Sequence, residues 1–270
     1  MTALDTAPRR ASHVAASYRV TFPRLLRSEW IKLSTLRSTW WSIGLTAVLT
    51  FGIALLMAAA FQNAPGFPAI NAVVIPFQFT MLLAGILGAI AVTGEYATGM
   101  IRSTFAAQPR RGAVLAAKAV VVAAFLFIAS LVIFAVAAVL VAPFFSGDDA
   151  IDWRIDGTWM PILTASASMA VFALIGLAFG FMIRSGAGAI AAAVGLLFVL
   201  PIVASIFAGV SSDWEWIGWV ADHLPLAAAQ YAIITEPGAP VEAAEAWGTL
   251  AAWVAATALG AWAVLRTRDA

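Results

Sequence analysis

Three observations predict an all-α integral membrane protein with six transmembrane helices, cytoplasmic N- and C-termini and an N-terminal amphipathic interfacial helix. First, 63% of the 270 residues are hydrophobic and only 11% are charged, against about half and a quarter in a soluble domain, and the mean hydropathy is +0.94. Second, the apolar residues form long uncharged runs, each enough for a helix across the hydrocarbon core, which takes roughly 20 residues. These runs do not alternate apolar and polar residues as barrel strands do. Third, the few charges are sorted by sign between alternate loops. The same composition excludes a disordered chain, and a net charge of +1 gives no nucleic-acid binder. With no cysteine, disulfides and thiolate metal sites are excluded. Thirteen of the fifteen basic residues are Arg, and with abundant Ala this fits a GC-rich bacterial genome.

In chain order, residues 1–18 read as a flexible cytoplasmic tail and 19–37 as an amphipathic helix. Phe22, Leu25, Leu26, Trp30, Leu33 and Leu36 share one helical face, with Arg24, Arg27, Ser28, Ser34 and Thr35 opposite. A basic amphipathic helix just before a span lies in the interface plane. Glu29 breaks the pattern on the apolar side; it is read as a snorkelling charge, as an i,i+3 partner of Lys32, or as a polar contact for another cytoplasmic protein. The transmembrane domain covers residues 38–265. Its spans fall at about 40–61, 68–93, 119–145, 158–183, 185–210 and 246–265. The segment Gln62-Asn63-Ala64-Pro65-Gly66 divides the first two spans, and Arg184-Ser185-Gly186-Ala187-Gly188 divides the fourth and fifth. The first run starts too late and behind too long a basic segment for a signal peptide, so it is expected to be an uncleaved anchor. Residues 146–157 and 211–245 form outer loops, and 266–270 a short cytoplasmic tail.

Orientation follows from the charges. With the N-terminus inside, fourteen of the fifteen basic residues are cytoplasmic and only Arg154 is outside, while ten of the fourteen acids are outside. Trp40, Trp41, Trp159, Trp214, Trp216, Trp219 and Trp247 lie near span ends, as in an aromatic belt.

No Asp, Glu, Lys, Arg or His falls at mid-depth in a span, and the two histidines, His13 and His223, lie in a tail and an outer loop. No catalytic residue and no metal site is therefore assigned, and an intramembrane protease or ion-driven carrier loses support. Asn71, Gln78 and Thr80 on span two are read as interhelical hydrogen-bonding groups ahead of a pathway lining. Gly176-x-x-x-Gly180 permits a close helix contact, and Pro76 and Pro201 are expected to kink spans two and five.

The loop between spans two and three reads as a short helix ending near Pro109. Gly94-x-x-x-x-Gly99 is followed by Met100-Ile101 where a phosphate loop needs Lys and Ser or Thr, so nucleotide binding fails here. The run Gly94-Glu95-Tyr96-x-x-Gly99-Met100-Ile101-Arg102, then Pro109-Arg110-Arg111, Val114-Leu115 and Lys118, resembles the membrane subunits of type-2 ATP-binding cassette exporters. In that family the Gly is followed by Thr or Ser, here Met100. Glu29-Trp30-Ile31-Lys32-Leu33 is similar to the family's connecting helix.

The resemblance implies that 94–111 is a coupling helix, with Glu95, Tyr96, Gly99, Arg102, Pro109, Arg110 and Arg111 docking a separate cytoplasmic ATPase, and Glu29 and Lys32 marking the connecting helix. It implies a multi-pass permease of the plasma membrane, paired with a second copy or a similar permease. By the same resemblance, ATP and Mg are expected to be used by the partner, with no cofactor bound and no enzymatic activity on this chain. The cargo class is a drug, antimicrobial peptide, lipid or glycan. The rival readings are a non-transporting membrane scaffold or immunity protein, and a secondary carrier.

Overall fold

The computed structural model describes residues 21–210, 215–235 and 238–267. The tail 1–18, the first two residues of the predicted connecting helix, Trp214 and the last three residues lie outside this set. Among the described residues the chain is all-helical, without a strand, and six helices are long and apolar enough to cross a membrane. Every backbone group in a lipid-facing segment must be satisfied within the segment, which selects helices for these uncharged runs.

The order begins with α1 (Phe22–Thr35), α2 (Arg37–Phe61), α3 (Ala69–Val74), α4 (Phe77–Ala97), α5 (Met100–Ala107) and α6 (Arg111–Val141). It continues with α7 (Asp156–Ile183), α8 (Gly186–Val194), α9 (Leu200–Val210), α10 (Glu215–Asp222), α11 (Pro225–Ile233) and α12 (Ala243–Thr267). Pro76 separates α3 from α4, since it has no N–H for the carbonyl one turn back. Before Pro201 the fifth span loosens into a π turn, Gly195–Val199, joining α8 to α9.

Helices α4 and α7 form the centre, each span about three-fifths buried, whereas α2, α8–α9 and α12 are only about one-fifth buried. Glycines set this central crossing. A methyl on Gly176 would lie 1.9 Å from the carbonyl oxygen of Gly85, and one on Gly88 would lie 2.0 Å from that of Ala173. The two backbones therefore touch, and the small-residue pattern on α7 is matched by a second pair on α4. Large side chains fill the layers on either side, with Phe77, Phe134, Phe172 and Phe181 fully buried.

Two span ends differ from the sequence expectation. Helix α4 runs on through Glu95, and α6 starts at Arg111, so Lys118 sits two turns inside a helix rather than ahead of it. Charge alone had placed both residues outside the spans; the structure has them inside α4 and α6, paired with each other.

Candidate functional site

Helix α1 begins behind Thr21 with Pro23 in its first turn, where a missing N–H costs nothing. It turns Leu25, Glu29 and Leu33 inward, and Leu25 meets Val114 and Ala117 of α6. Residues at i, i+4 and i+8 share a helix face, so Glu29 is carried into the interior between two leucines.

There it meets both lysines of the chain. Lys32 Nζ donates to Glu29 Oε1 at 2.7 Å and to Glu95 Oε1 at 3.1 Å. Lys118 Nζ donates to Glu95 Oε1 at 2.6 Å and also to Glu29 Oε2. The third donor of Lys32 reaches Thr104 Oγ1 at 3.3 Å. Glu29, Lys118 and Glu95 are 2%, 3% and 4% exposed. Two carboxylates and two ammoniums thus form a charge-matched quartet, buried except for the half-buried Lys32, that ties α1, α4, α5 and α6 together. A lone buried charge is costly, and one that is paired and hydrogen-bonded is tolerated. Lysine suits the site because its compact ammonium distributes three donors, whereas a guanidinium fork favours one planar partner. Burial works against the charge on Lys32, but the hydrogen bonds and charges of Glu29 and Glu95 outweigh it and raise the pKa above the usual 10.5.

Above the quartet the chain turns at Gly99, whose φ of +72° lies in the left-handed region open to glycine. Helix α5 follows, with Ile101 turned inward and Arg102, Ser103, Ala106 and Ala107 exposed. Pro109 and Arg110 are also exposed beyond its end. Arg111 turns back: its guanidinium donates to the Leu265 carbonyl at 2.8 Å and lies 5.5 Å from the Phe105 ring centre. A cation at carbonyls near a helix C-terminus is favourable, so Arg111 fastens α12 to α6. Arg110, Arg111 and Arg266 line one cavity of about 490 Å³, floored by Trp262 and Leu265. Arg184 stands over the Tyr96 ring at 5.4 Å.

The residues expected to dock a partner therefore separate into two groups. Gly99, Arg102, Pro109 and Arg110 are exposed. Glu95 faces inward to Lys118 and Lys32, while Tyr96 and Arg111 are half-buried against Arg184, Phe105 and Leu265. Glu29, read partly as a contact for another protein, is spent on Lys32 and Lys118. The i,i+3 pairing with Lys32 is present; the outward contact is excluded by burial. Of the pathway candidates, Thr80 is fully buried and its hydroxyl approaches the Pro76 and Phe77 carbonyls and Met169 Sδ, while Asn71 and Gln78 are half-buried. Sequence reasoning missed Lys118 and Thr104 as members of the site. The available signal was the rarity of lysine in an arginine-rich chain, whose only two lysines are Lys32 and Lys118.

Compared with known proteins, the chain matches no family model and no curated sequence.

Proposed function

We propose that the chain is the permease subunit of a type-2 ATP-binding cassette exporter, with α5 as the element that receives force from a separate cytoplasmic ATPase. One observation carries this reading: an exposed helix between two spans is fastened at its root, through Thr104 and the buried quartet, to α1, α4 and α6. A membrane domain driven by hydrolysis on another chain needs a stiff lever of this kind, and rigid displacement of packed helices is an established means of switching. Arg102 and Arg110 supply positive charge on the outer surface of that lever. The charge distribution along the sequence orients α1 and α5 toward the cytoplasm and both termini with them.

In this reading ATP and Mg are bound by the partner, and this chain performs no hydrolysis. The poorly buried helices α2, α8–α9 and α12 leave faces for a second permease copy and for the bilayer of the plasma membrane. The pathway forms between the two copies, and the cargo is a drug, antimicrobial peptide, lipid or glycan.

The test is purification of the tagged chain in mild detergent and in lipid discs, with mass spectrometry of accompanying proteins. A stoichiometric ATPase with wild type, lost in Arg102→Ala/Arg110→Ala while the permease remains monodisperse, supports the proposal. Absence of an ATPase in both preparations overturns it and leaves a scaffold or carrier.

A further inference from the structure

A second cluster of polar contacts lies at the opposite end of the bundle from the quartet. Leu265, near the C-terminus of α12, is held by Arg111 close to α5. This 25-residue helix is roughly 37 Å long, so its N-terminal end lies on the far face. There α10 and α12 flank a cavity of about 410 Å³, lined by Trp219, Val220, His223, Leu224, Thr249 and Trp253. The backbone of His223 is fixed to α12, because its carbonyl accepts from Trp253 Nε1 at 2.9 Å. No lysine or arginine occurs between Arg184 and Arg266, so His223 is the one side chain in that stretch able to carry a positive charge near neutral pH.

The His223 ring makes three contacts. Nδ1 lies 2.8 Å from the Trp219 carbonyl oxygen, Nε2 lies 3.3 Å from Glu245 Oε1, and the ring stacks on the Trp219 indole with centroids 4.2 Å apart. A backbone carbonyl and an ionised carboxylate are both acceptors only, whereas a neutral imidazole has a single N–H. Either neutral tautomer therefore turns a lone pair toward one of the two oxygens. The imidazolium donates to both, and its charge also suits the face of the indole. The helix ends agree with this charge state. Trp219 belongs to the last turn of α10, where a cation is favourable, and Glu245 to the first turn of α12, where an anion is favourable.

The other ionisable groups of the elements packed here are few. Asp222 of α10 accepts from Tyr231 of α11 at 2.8 Å. Glu215 is at the other end of α10, Glu242 is exposed just ahead of α12, and α9 carries no ionisable residue. We propose that His223 and Glu245 form a pH-sensitive latch, which holds α10 against α12 over this cavity when the imidazole is protonated and releases it when the ring is neutral. With the His223 carbonyl fixed to Trp253, α10 pivots at that joint. The inference is independent of the transporter reading, because it rests only on the geometry at this end of the bundle.

The chain has no cysteine, so an introduced pair is labelled specifically. Gly218 of α10 and Gly248 of α12 suit this purpose, since a Cβ at either position would meet nothing within 4 Å. Spin labels on Gly218→Cys/Gly248→Cys report the separation of the two helices. The Glu245 side chain is 58% exposed, and an exposed ion pair shifts an equilibrium by at most about fivefold.

The full-length, doubly labelled chain in lipid discs is measured by double electron–electron resonance at about pH 5 and about pH 8, on either side of the range near 6.5 where histidine ordinarily titrates. The ratio of short to long separations is expected to fall about fivefold at the higher pH. His223→Gln in the same background is expected to abolish this dependence. Glu245→Gln is expected to keep the short separation at both values, because a carboxamide N–H can donate to Nε2 of the neutral ring. An absence of pH dependence in the labelled parent, an undiminished dependence in His223→Gln, or the parent's release of α10 at the higher pH in Glu245→Gln overturns the latch. The second of these would assign the switch to one of the neighbouring acids.

Discussion

Removing one member of the quartet is the most direct perturbation of this fold. Lys118→Met leaves Glu29 and Glu95, 2% and 4% exposed, with Lys32 as their single cation. Breaking a buried ion pair by deleting one partner costs about 3–5 kcal/mol, because the remaining charge is stranded away from water. An exposed pair would cost at most about 1 kcal/mol. The double substitution Glu29→Gln/Lys118→Met leaves one carboxylate and one ammonium, Glu95 and Lys32, still 3.1 Å apart. It should recover at least half the loss, so the two sites are coupled by about 1.5–2.5 kcal/mol or more. The assay is unfolding by sodium dodecyl sulfate in mixed micelles, followed by tryptophan fluorescence. A cost under about 1 kcal/mol for Lys118→Met, or a double variant no more stable than the single, would refute the buried quartet as an energetically coupled unit.

Other outcomes follow from separate parts of the structure. Gly176→Ala and Gly88→Ala each place a methyl about 2 Å from an opposing backbone oxygen, so each should lower stability by roughly 1–3 kcal/mol or more in the same unfolding assay. Gly52→Ala, where a methyl meets nothing within 4 Å, should be neutral or stabilising by up to about 1 kcal/mol. Tyr231 donates to Asp222 at 2.8 Å, and burial together with that bond pushes its pKa up to about 12 from 10.0. The folded state thus favours the neutral phenol, so this contribution to stability is complete below pH 10 and lost as pH rises toward 12. The difference in ultraviolet absorbance titration between wild type and Tyr231→Phe should place this ionisation near pH 12, and in Asp222→Asn the midpoint should fall. For topology, Asp148→Cys should react with a membrane-impermeant maleimide in whole cells and Ser103→Cys only after permeabilisation; the reverse pattern would invert the orientation.

The spans were legible because an uncharged run of 20 or more residues has few alternatives to a membrane helix. The short helix before Pro109 was legible from its length and apolar content, and the structure has α5 at Met100–Ala107. Glu29 was legible as an anomaly, a carboxylate on an apolar face, and its local partner Lys32 was visible at three residues' distance. Its other partner was not. Lys118 is 89 residues away along the chain, and helical periodicity carries no information about contacts at that separation. The same limit applied to the central crossing. Gly176 and Gly180 could be marked as a small-residue pattern, but only the fold shows that Gly176 presses against Gly85 and Gly180 against Ala89 and Val92. The bond from Arg111 to the Leu265 carbonyl was illegible for a related reason: the end of a distant helix is brought to it only by the fold.

The location of the quartet has a mechanical consequence. Each lysine bridges both carboxylates, so α1 cannot separate from α4 or α6 without exposing a buried charge, and Thr104 extends the same constraint to α5. These helix ends therefore move together or at a cost of several kcal/mol. Helix α4 is in turn pressed backbone to backbone on α7 at Gly85, Gly88 and Gly176, where no side chain separates the two backbones. A displacement applied to the exposed face of α5 has a stiff route to the centre of the bundle, while α2 and α8–α9, only about one-fifth buried, are free to respond against whatever they face. The two halves of this argument are separable by experiment. If the quartet carries the force, Glu29→Gln/Lys118→Met should restore much of the stability lost in Lys118→Met yet leave stimulation of the ATPase proposed as its partner impaired. If the quartet is only a structural clamp, stability and stimulation should recover together.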